Sequence, residues 1–316
     1  MGRIRFVAVG ECMVELFAED PIPVDRAERF QRSFGGDALQ AAIAAANLGT
    51  PSAVATVVGD DRFAPALLSW LEQMSIANDL IVRRSGFTGL YLISLDGAGE
   101  RSFAYYRKGS AASTIDAGDV AWPQPPDAVL VSGITQAVSE SSRRAAFEGA
   151  DRTRDAGGLV VFDVNYRSLL WGDPSEAKEA FEEILPLCHA LRVSAPEETE
   201  IVAGESDPER AARDLSARGP SMVLVGCGAS GAVLAVGGSV ERIPAPPAVR
   251  CVDTTGAGDA LTGAFVHGLL AGSAPADAAR LGVAAGSLAV TRRGGASAIP
   301  PGEEVLALAE EMGAPV

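Results

Sequence analysis

Lysine is almost missing from this sequence: Lys108 and Lys178 are the only two, and nearly all positive charge is arginine. Neither lysine follows a glycine, so the Gly-Lys-Ser/Thr phosphate loop of P-loop enzymes is excluded. Histidine is as scarce, with His189 and His267, and the four cysteines, Cys12, Cys188, Cys227 and Cys251, lie far apart. Such spacing fits neither a disulfide framework nor a zinc pattern. All six residues are expected to be buried or half-buried in a reduced, cytoplasmic protein. No apolar run approaches the ~18 residues of a membrane span, and "MGRIRFVAVGE" enters a strand-like stretch without a signal-peptide core. Acidic residues outnumber basic ones, 41 to 26, and no basic stripe is visible, which argues against a nucleic-acid partner. An anionic small molecule is still allowed, provided that its site supplies local positive potential.

What the chain does have is apolar sequence, 47% of 316 residues, enough for a sizeable core. Short β-type runs recur: "FVAVG" (6–10), "SAVATVVG" (52–59), "AVLVSG" (128–133), "GLVVFDVN" (158–165), "ALRVSA" (190–195) and "MVLVG" (222–226). Most are continuous rather than alternating, as in strands covered on both faces of a parallel sheet. Helix-length segments separate them, at 38–49, 63–74, 139–157 and 207–219. Asp207-Pro208 reads as a helix start, and Gly49 and Gly219 as stops. This alternation predicts an α/β fold with a doubly wound, mainly parallel central sheet flanked by helices. Residues 88–110 break the pattern. Two polar-rich strands flank "DGAGE", a hairpin signal, and predict an antiparallel lid or edge extension.

Chemistry concentrates in "CVDTTGAGDALTGAFVHGLLAG" (251–272). A helix N-terminus carries orphan N–H groups and the positive end of the macrodipole. Glycine lets those groups approach an anion without a Cβ in the way. Gly256, Ala257 and Gly258 therefore describe an anion cradle, and Asp259 stands in the first helical turn. There its carboxylate is placed to take a proton from an attacking hydroxyl, with the dipole expected to keep it ionised. Asp253 and Thr254 read as support. A second Gly-Gly helix entry, "SFGGDALQ", carries Gly35, Gly36 and Asp37. "GCGASG" (226–231) matches G-x-G-x-x-G, but a strand rather than a helix follows it, so it reads as a hairpin turn beside a nucleotide pocket and not as a dinucleotide fingerprint.

With these motifs in this order, the chain resembles the ribokinase-like sugar kinases, the PfkB family, over nearly its full length. "GGDALQ" matches the family's early Gly-Gly motif, "DTTGAGDALTGAF" its late signature, and "AAGSLAVTRRGGASAIP" (284–300) its closing helix and loop. Within the family, "GECMVEL", "FAYYRKGSAAS" (103–113) and "FDVNYRSLLW" (162–171) are similar to 2-keto-3-deoxygluconate kinases. The resemblance implies one ribokinase-like domain over 1–316, with a β lid at about 86–111 plus short segments near 12–35. It implies ATP and magnesium as cofactors, and a homodimer joined through the lid. Gly35, Gly36, Asp37, Tyr91, Tyr105, Arg107, Arg167 and Asp259 would contact the sugar acid. Asn165, Ser194, Gly228, Gly231, Thr254, Gly256 and Gly258 would line the nucleotide site. Glu198 would reach magnesium through water. Three positions depart from the usual pattern: Gln40 and Ala195 replace asparagines, and Gly226 stands where Thr or Lys is more common. The expected reaction is transfer of the ATP γ-phosphoryl group to the sugar acid. The alternatives are a fructokinase, a ribokinase or another sugar or nucleoside kinase, and a non-catalytic sugar- or nucleotide-binding protein on the same fold.

Overall fold

The computed structural model describes residues 3–95, 101–247 and 250–314. The strands are β1 (Phe6–Val9), β2 (Met13–Ala18), β3 (Phe30–Gly35), β4 (Ser52–Val58), β5 (Ile76–Ala77), β6 (Ile81–Arg83), β7 (Leu90–Leu95), β8 (Arg101–Tyr106), β9 (Ala128–Ser132), β10 (Leu159–Asp163), β11 (Ala190–Ser194), β12 (Met222–Gly226), β13 (Ala232–Val236) and β14 (Ser239–Ile243). The helices are α1 (Asp37–Asn47), α2 (Phe63–Gln73), α3 (Gly133–Val138), α4 (Glu140–Asp155), α5 (Pro174–Ile184), α6 (Glu197–Ala203), α7 (Pro208–Ser216), α8 (Ala257–Ala271), α9 (Pro275–Ala289) and α10 (Gly302–Glu311).

Every continuous apolar run of the sequence is a strand of one large sheet, ordered β14-β13-β12-β11-β10-β9-β1-β4-β5, with β6 alongside β4. From β4 to β12 the pairing is parallel, and β13 and β14 close that edge antiparallel. β1 shows why the runs are continuous. Phe6 and Ala8 enter the core under α1, α8 and α9, while Val7 and Val9 enter the core on the opposite face. Successive side chains of a strand point to opposite faces, so a sheet covered on both must be apolar throughout. Each buried Val, Leu or Phe contributes about 1.5–3 kcal/mol to that packing. The predicted start at Asp207 is observed: its side chain accepts from Arg210 N at 2.9 Å and Pro208 opens α7. Three of the four cysteines are buried or half-buried as expected, but Cys251 is exposed, because it precedes the buried Asp253 in a surface approach to α8.

The predicted hairpin is present. β7 and β8 pair antiparallel, with Tyr91 opposite Tyr105, and β2 and β3 complete a separate four-stranded sheet ordered β3-β2-β7-β8. The turn "DGAGE" itself lies outside the described residues. One face of this small sheet carries Met13, Glu15, Tyr91 and Ile93; the next residues along, Val14, Leu16 and Leu90, pack on the main core. The strand order reverses about β1, with β4 on one side and β9 on the other. Ligands of open α/β sheets bind at such a switch point, beyond the carboxyl ends of the strands.

Candidate active site

A cavity of about 1060 Å³ opens there, between the strand ends and the four-stranded sheet. That volume accommodates two small-molecule substrates together. Five cationic side chains, Arg101, Arg107, Lys108, Arg167 and Arg192, line it against three carboxylates, Asp37, Glu198 and Asp259. A chain of net charge −15 therefore gathers cationic side chains on this lining, the kind of local potential that an anionic substrate needs.

The floor is built on the tip of α8. Gly256 caps the helix with φ of 74°, the left-handed region that favours glycine. The turn before it is tied down by Asp253, whose carboxylate accepts from Thr255 N and Oγ1 at 2.9 and 2.7 Å and from Gly294 N at 3.0 Å. Asp259 then enters the cavity, with Asn165 Nδ2 donating to it at 3.3 Å. Asn165 is held at φ of 34°, unusual for a residue other than glycine and of the kind found at functional sites. Asp259 departs from the expectation that the dipole keeps it ionised. Burial, then the nearby Asp37 and Asp163, push its carboxyl well above the ordinary range, with Arg167 and Arg192 opposing them. Loss of solvation outweighs a half-charge at the helix end.

Beneath Asp259 runs a polar lattice that the motifs did not reveal. Arg192 donates to Asp163 at 3.2 Å and lies 3.7 Å from Glu198; the other Asp163 oxygen accepts from Thr262 of α8 at 2.8 Å. Burial works against the charge on Arg192, but the nearby Asp163, Glu198 and Asp259 outweigh it. The available signal was an arginine inside the apolar run "ALRVS": charge is tolerated there only if paired. Glu198 accepts from Tyr166 N at 2.8 Å and Ser194 N at 2.7 Å, so both its oxygens clamp strand ends, and burial raises its carboxyl. Among the described residues no three His, Cys, Asp or Glu side chains converge as a metal cage. The donor set fits a magnesium ion that keeps its waters and takes phosphate oxygens, with Glu198 at the outer edge.

The roof is aromatic. Tyr105 stacks between Tyr91 and Phe103, both at 5.7 Å between ring centroids, and Arg107 lies 5.6 Å over the Tyr105 ring. Arg107 is buried and ion-paired with Glu11, another partner the sequence did not announce. Arg167 lines the cavity from the loop after β10, its Nη1 donating to the Tyr166 carbonyl at 2.8 Å.

Most predicted residues converge: Gly36, Asp37, Tyr91, Tyr105, Arg107, Asn165, Arg167, Ser194, Glu198, Thr254, Gly256, Gly258 and Asp259 all line the cavity. Four do not. Ala257 turns into the α8 packing. Gly35 sits behind the wall: a Cβ there would fall 2.0 Å from the Tyr91 hydroxyl, which instead donates to Glu15 at 2.6 Å. Gly228 and Gly231 belong to the β12–β13 hairpin but not to the cavity lining, and Gly231 backs onto Ile243, where a Cβ would meet the carbonyl at 2.1 Å.

Comparison with known proteins agrees with this geometry. The profile of the pfkB family carbohydrate kinases matches residues 3–301. The chain is 34% identical to a 2-dehydro-3-deoxygluconokinase of Thermoproteus tenax, covering 98% of this chain and 94% of the relative. It is 32% identical to a fructokinase of Klebsiella pneumoniae, covering 92% and 95%. A crystal structure of a PfkB protein from Polaromonas sp. JS666 superposes with a TM-score of 0.87 at 28% identity, over 96% of this chain and all of that one. With a ribokinase-like fold, an intact glycine-capped helix carrying Asp259, and a family match over nearly its whole length, this chain belongs to the pfkB family of carbohydrate kinases, phosphotransferases that act on sugar hydroxyls.

Proposed function

We propose that the protein transfers the γ-phosphoryl group of ATP to a hydroxyl of a sugar acid, 2-keto-3-deoxygluconate, giving 2-keto-3-deoxy-6-phosphogluconate. The observation that carries this reading is the charge of the cavity: cationic and aromatic on the roof, carboxylate and helix tip on the floor. The phosphates rest on the N–H groups at Gly256–Gly258, and the sugar's attacking hydroxyl faces Asp259, which takes its proton. Asn165 orients that carboxylate, and Arg167 and Arg192 draw it toward ionisation. The sugar lies between Asp37 and Tyr105, and its carboxylate takes Arg167 and the part of the Arg107 fork that Glu11 leaves free. Glu198 would hold a magnesium ion through water, and that ion would supply neutralisation of charge on the phosphate oxygens. The four-stranded sheet acts as a lid within a single domain, excluding water during transfer. Its edge strand β8, with Tyr106 61% exposed, pairs two copies into a dimer.

A coupled ADP-release assay with 2-keto-3-deoxygluconate, its galactose epimer, fructose and ribose tests the assignment. The sugar acid is expected to give a kcat/KM at least about 10-fold above fructose. Preference for fructose would move the protein to the function of its Klebsiella relative. No ADP release with any sugar would leave a binding protein.

A further inference from the structure

The floor of the cavity contains a cation whose role the proposed reaction leaves open. Arg192 is 9% exposed and sits one strand away from the helix tip, on β11. One arm of its fork is spent: Nη1 serves Asp163 and faces Glu198. The other arm is not. Among the described residues the side chain's one hydrogen bond runs through Nη1, so Nη2 makes none, Nε is buried without a partner, and the side chain lines the cavity.

Two glycines clear the space around that free arm. A Cβ at Gly258, in the cradle itself, would lie 2.7 Å from Nη2, inside any real contact. A Cβ at Gly226, at the end of the neighbouring strand β12, would lie 3.5 Å from it. A side chain there would stand beside the guanidinium. Without one, Nη2 faces the cradle unobstructed. An arginine that is charged, anchored on one side by two carboxylates and free on the other is preorganised as an anion donor.

We infer that Arg192 is a phosphate-contacting residue of the transfer reaction, supplying from β11 the fixed positive charge that Gly226 cannot. The inference rests on reading the tip of α8 as the phosphate cradle. It assigns Arg192 to the phosphate chain rather than to the sugar: Nη2 adjoins Gly258 and Gly226, whereas Tyr105 and Arg107 form the roof. No bond is made or broken by the arginine; it stabilises charge that grows on the phosphate oxygens as the phosphoryl group moves.

Three measurements on the full chain test this. Arg192→Lys keeps one charge for Asp163 and Glu198 but loses the second arm of the fork. Its kcat is expected to fall about 100-fold, with the sugar KM within about 3-fold of wild type and the melting transition retained. In Arg192→Ala the affinity for a non-hydrolysable ATP analogue should drop about 10-fold relative to that for adenosine, since only the phosphates have lost a partner. Adding Gly226→Lys to Arg192→Ala should recover turnover about 10-fold, because a Cβ at position 226 meets nothing closer than ordinary contact. A purely structural arginine would not be rescued from a different strand. Wild-type turnover in Arg192→Lys overturns the inference. So does unchanged discrimination between the ATP analogue and adenosine in either single variant. If the Ala variant does not fold, the Lys variant decides. The kinase reading fails separately: a wild-type protein that releases no ADP with any sugar, yet loses this discrimination on substitution, would refute the reaction and keep the contact.

Discussion

The two walls of the cavity are made differently. The floor consists of buried charges whose partners are other parts of the same wall: Arg192 with Asp163, Asp163 with Thr262, Glu198 with two backbone N–H groups. The roof consists of aromatic and arginine side chains on a thin sheet, with Tyr105 39% exposed. Groups locked by several hydrogen bonds cannot adapt, and they suit a chemical step that never changes. A half-exposed sheet tolerates substitution and suits the choice of sugar. On the proposed reaction, the difference separates chemistry from specificity, with Asp259 on one side and Arg107 on the other.

The sharpest way to break that division is Asp259→Asn. Turnover should fall by about 10³-fold or more with every sugar, while ATP-analogue affinity survives. An effect confined to one sugar would dissolve the distinction. The same variant reads the carboxyl directly. Asp259 sits above its unfolded value, so its contribution to stability is complete below that value and is lost as pH rises through the folded one. Removing the carboxyl should therefore raise Tm at pH 8 by about 2 °C in a thermal melt. Because the base works only when ionised, the acid limb of kcat/KM in the wild type should lie above the ordinary carboxylate range, and a limb near pH 4 would contradict the buried setting.

Next in size is the roof. Arg107→Ala should lower kcat/KM for 2-keto-3-deoxygluconate by about 10- to 100-fold but that for fructose by no more than about 3-fold. It also strands Glu11, a buried carboxylate already raised by desolvation and paired with this arginine, so Tm should fall as well. The ratio between substrates is unaffected by that loss of stability. Equal damage to both sugars would place Arg107 with the framework. The smallest effect is expected at Tyr106, whose exposed ring lies outside the cavity lining. Tyr106→Ser should leave catalysis within about 2-fold and shift the mass measured by light scattering from dimer toward monomer. A wild-type protein that is already monomeric would remove the dimer from the reading.

Legibility followed the range of the interaction. Asp37 and Asp259 were visible because a glycine turn opening a helix is local, and its consequences are set within a few residues. The central strands were visible because burial on both faces leaves an unbroken apolar signature. Arg192 and Glu11 were not visible as site residues. Their partners lie 29 and 96 residues away, and nothing in either neighbourhood announces the match. Gly228 and Gly231 of "GCGASG" lie outside the cavity lining for the converse reason. The turn is real, but whether a turn faces a cavity depends on strand order, and β12–β13 lies toward the antiparallel edge.

By itself, then, the sequence determined the alternation of strand and helix, the glycine-capped helix tip and the carboxylate upon it, since each rests on backbone geometry over a few residues. The tertiary structure alone decided the upward shift of the Asp259 carboxyl and the partners of Arg107 and Arg192. Those depend on which charges burial brings together, and in a medium that solvates ions poorly the neighbours, more than the residue itself, set its chemistry.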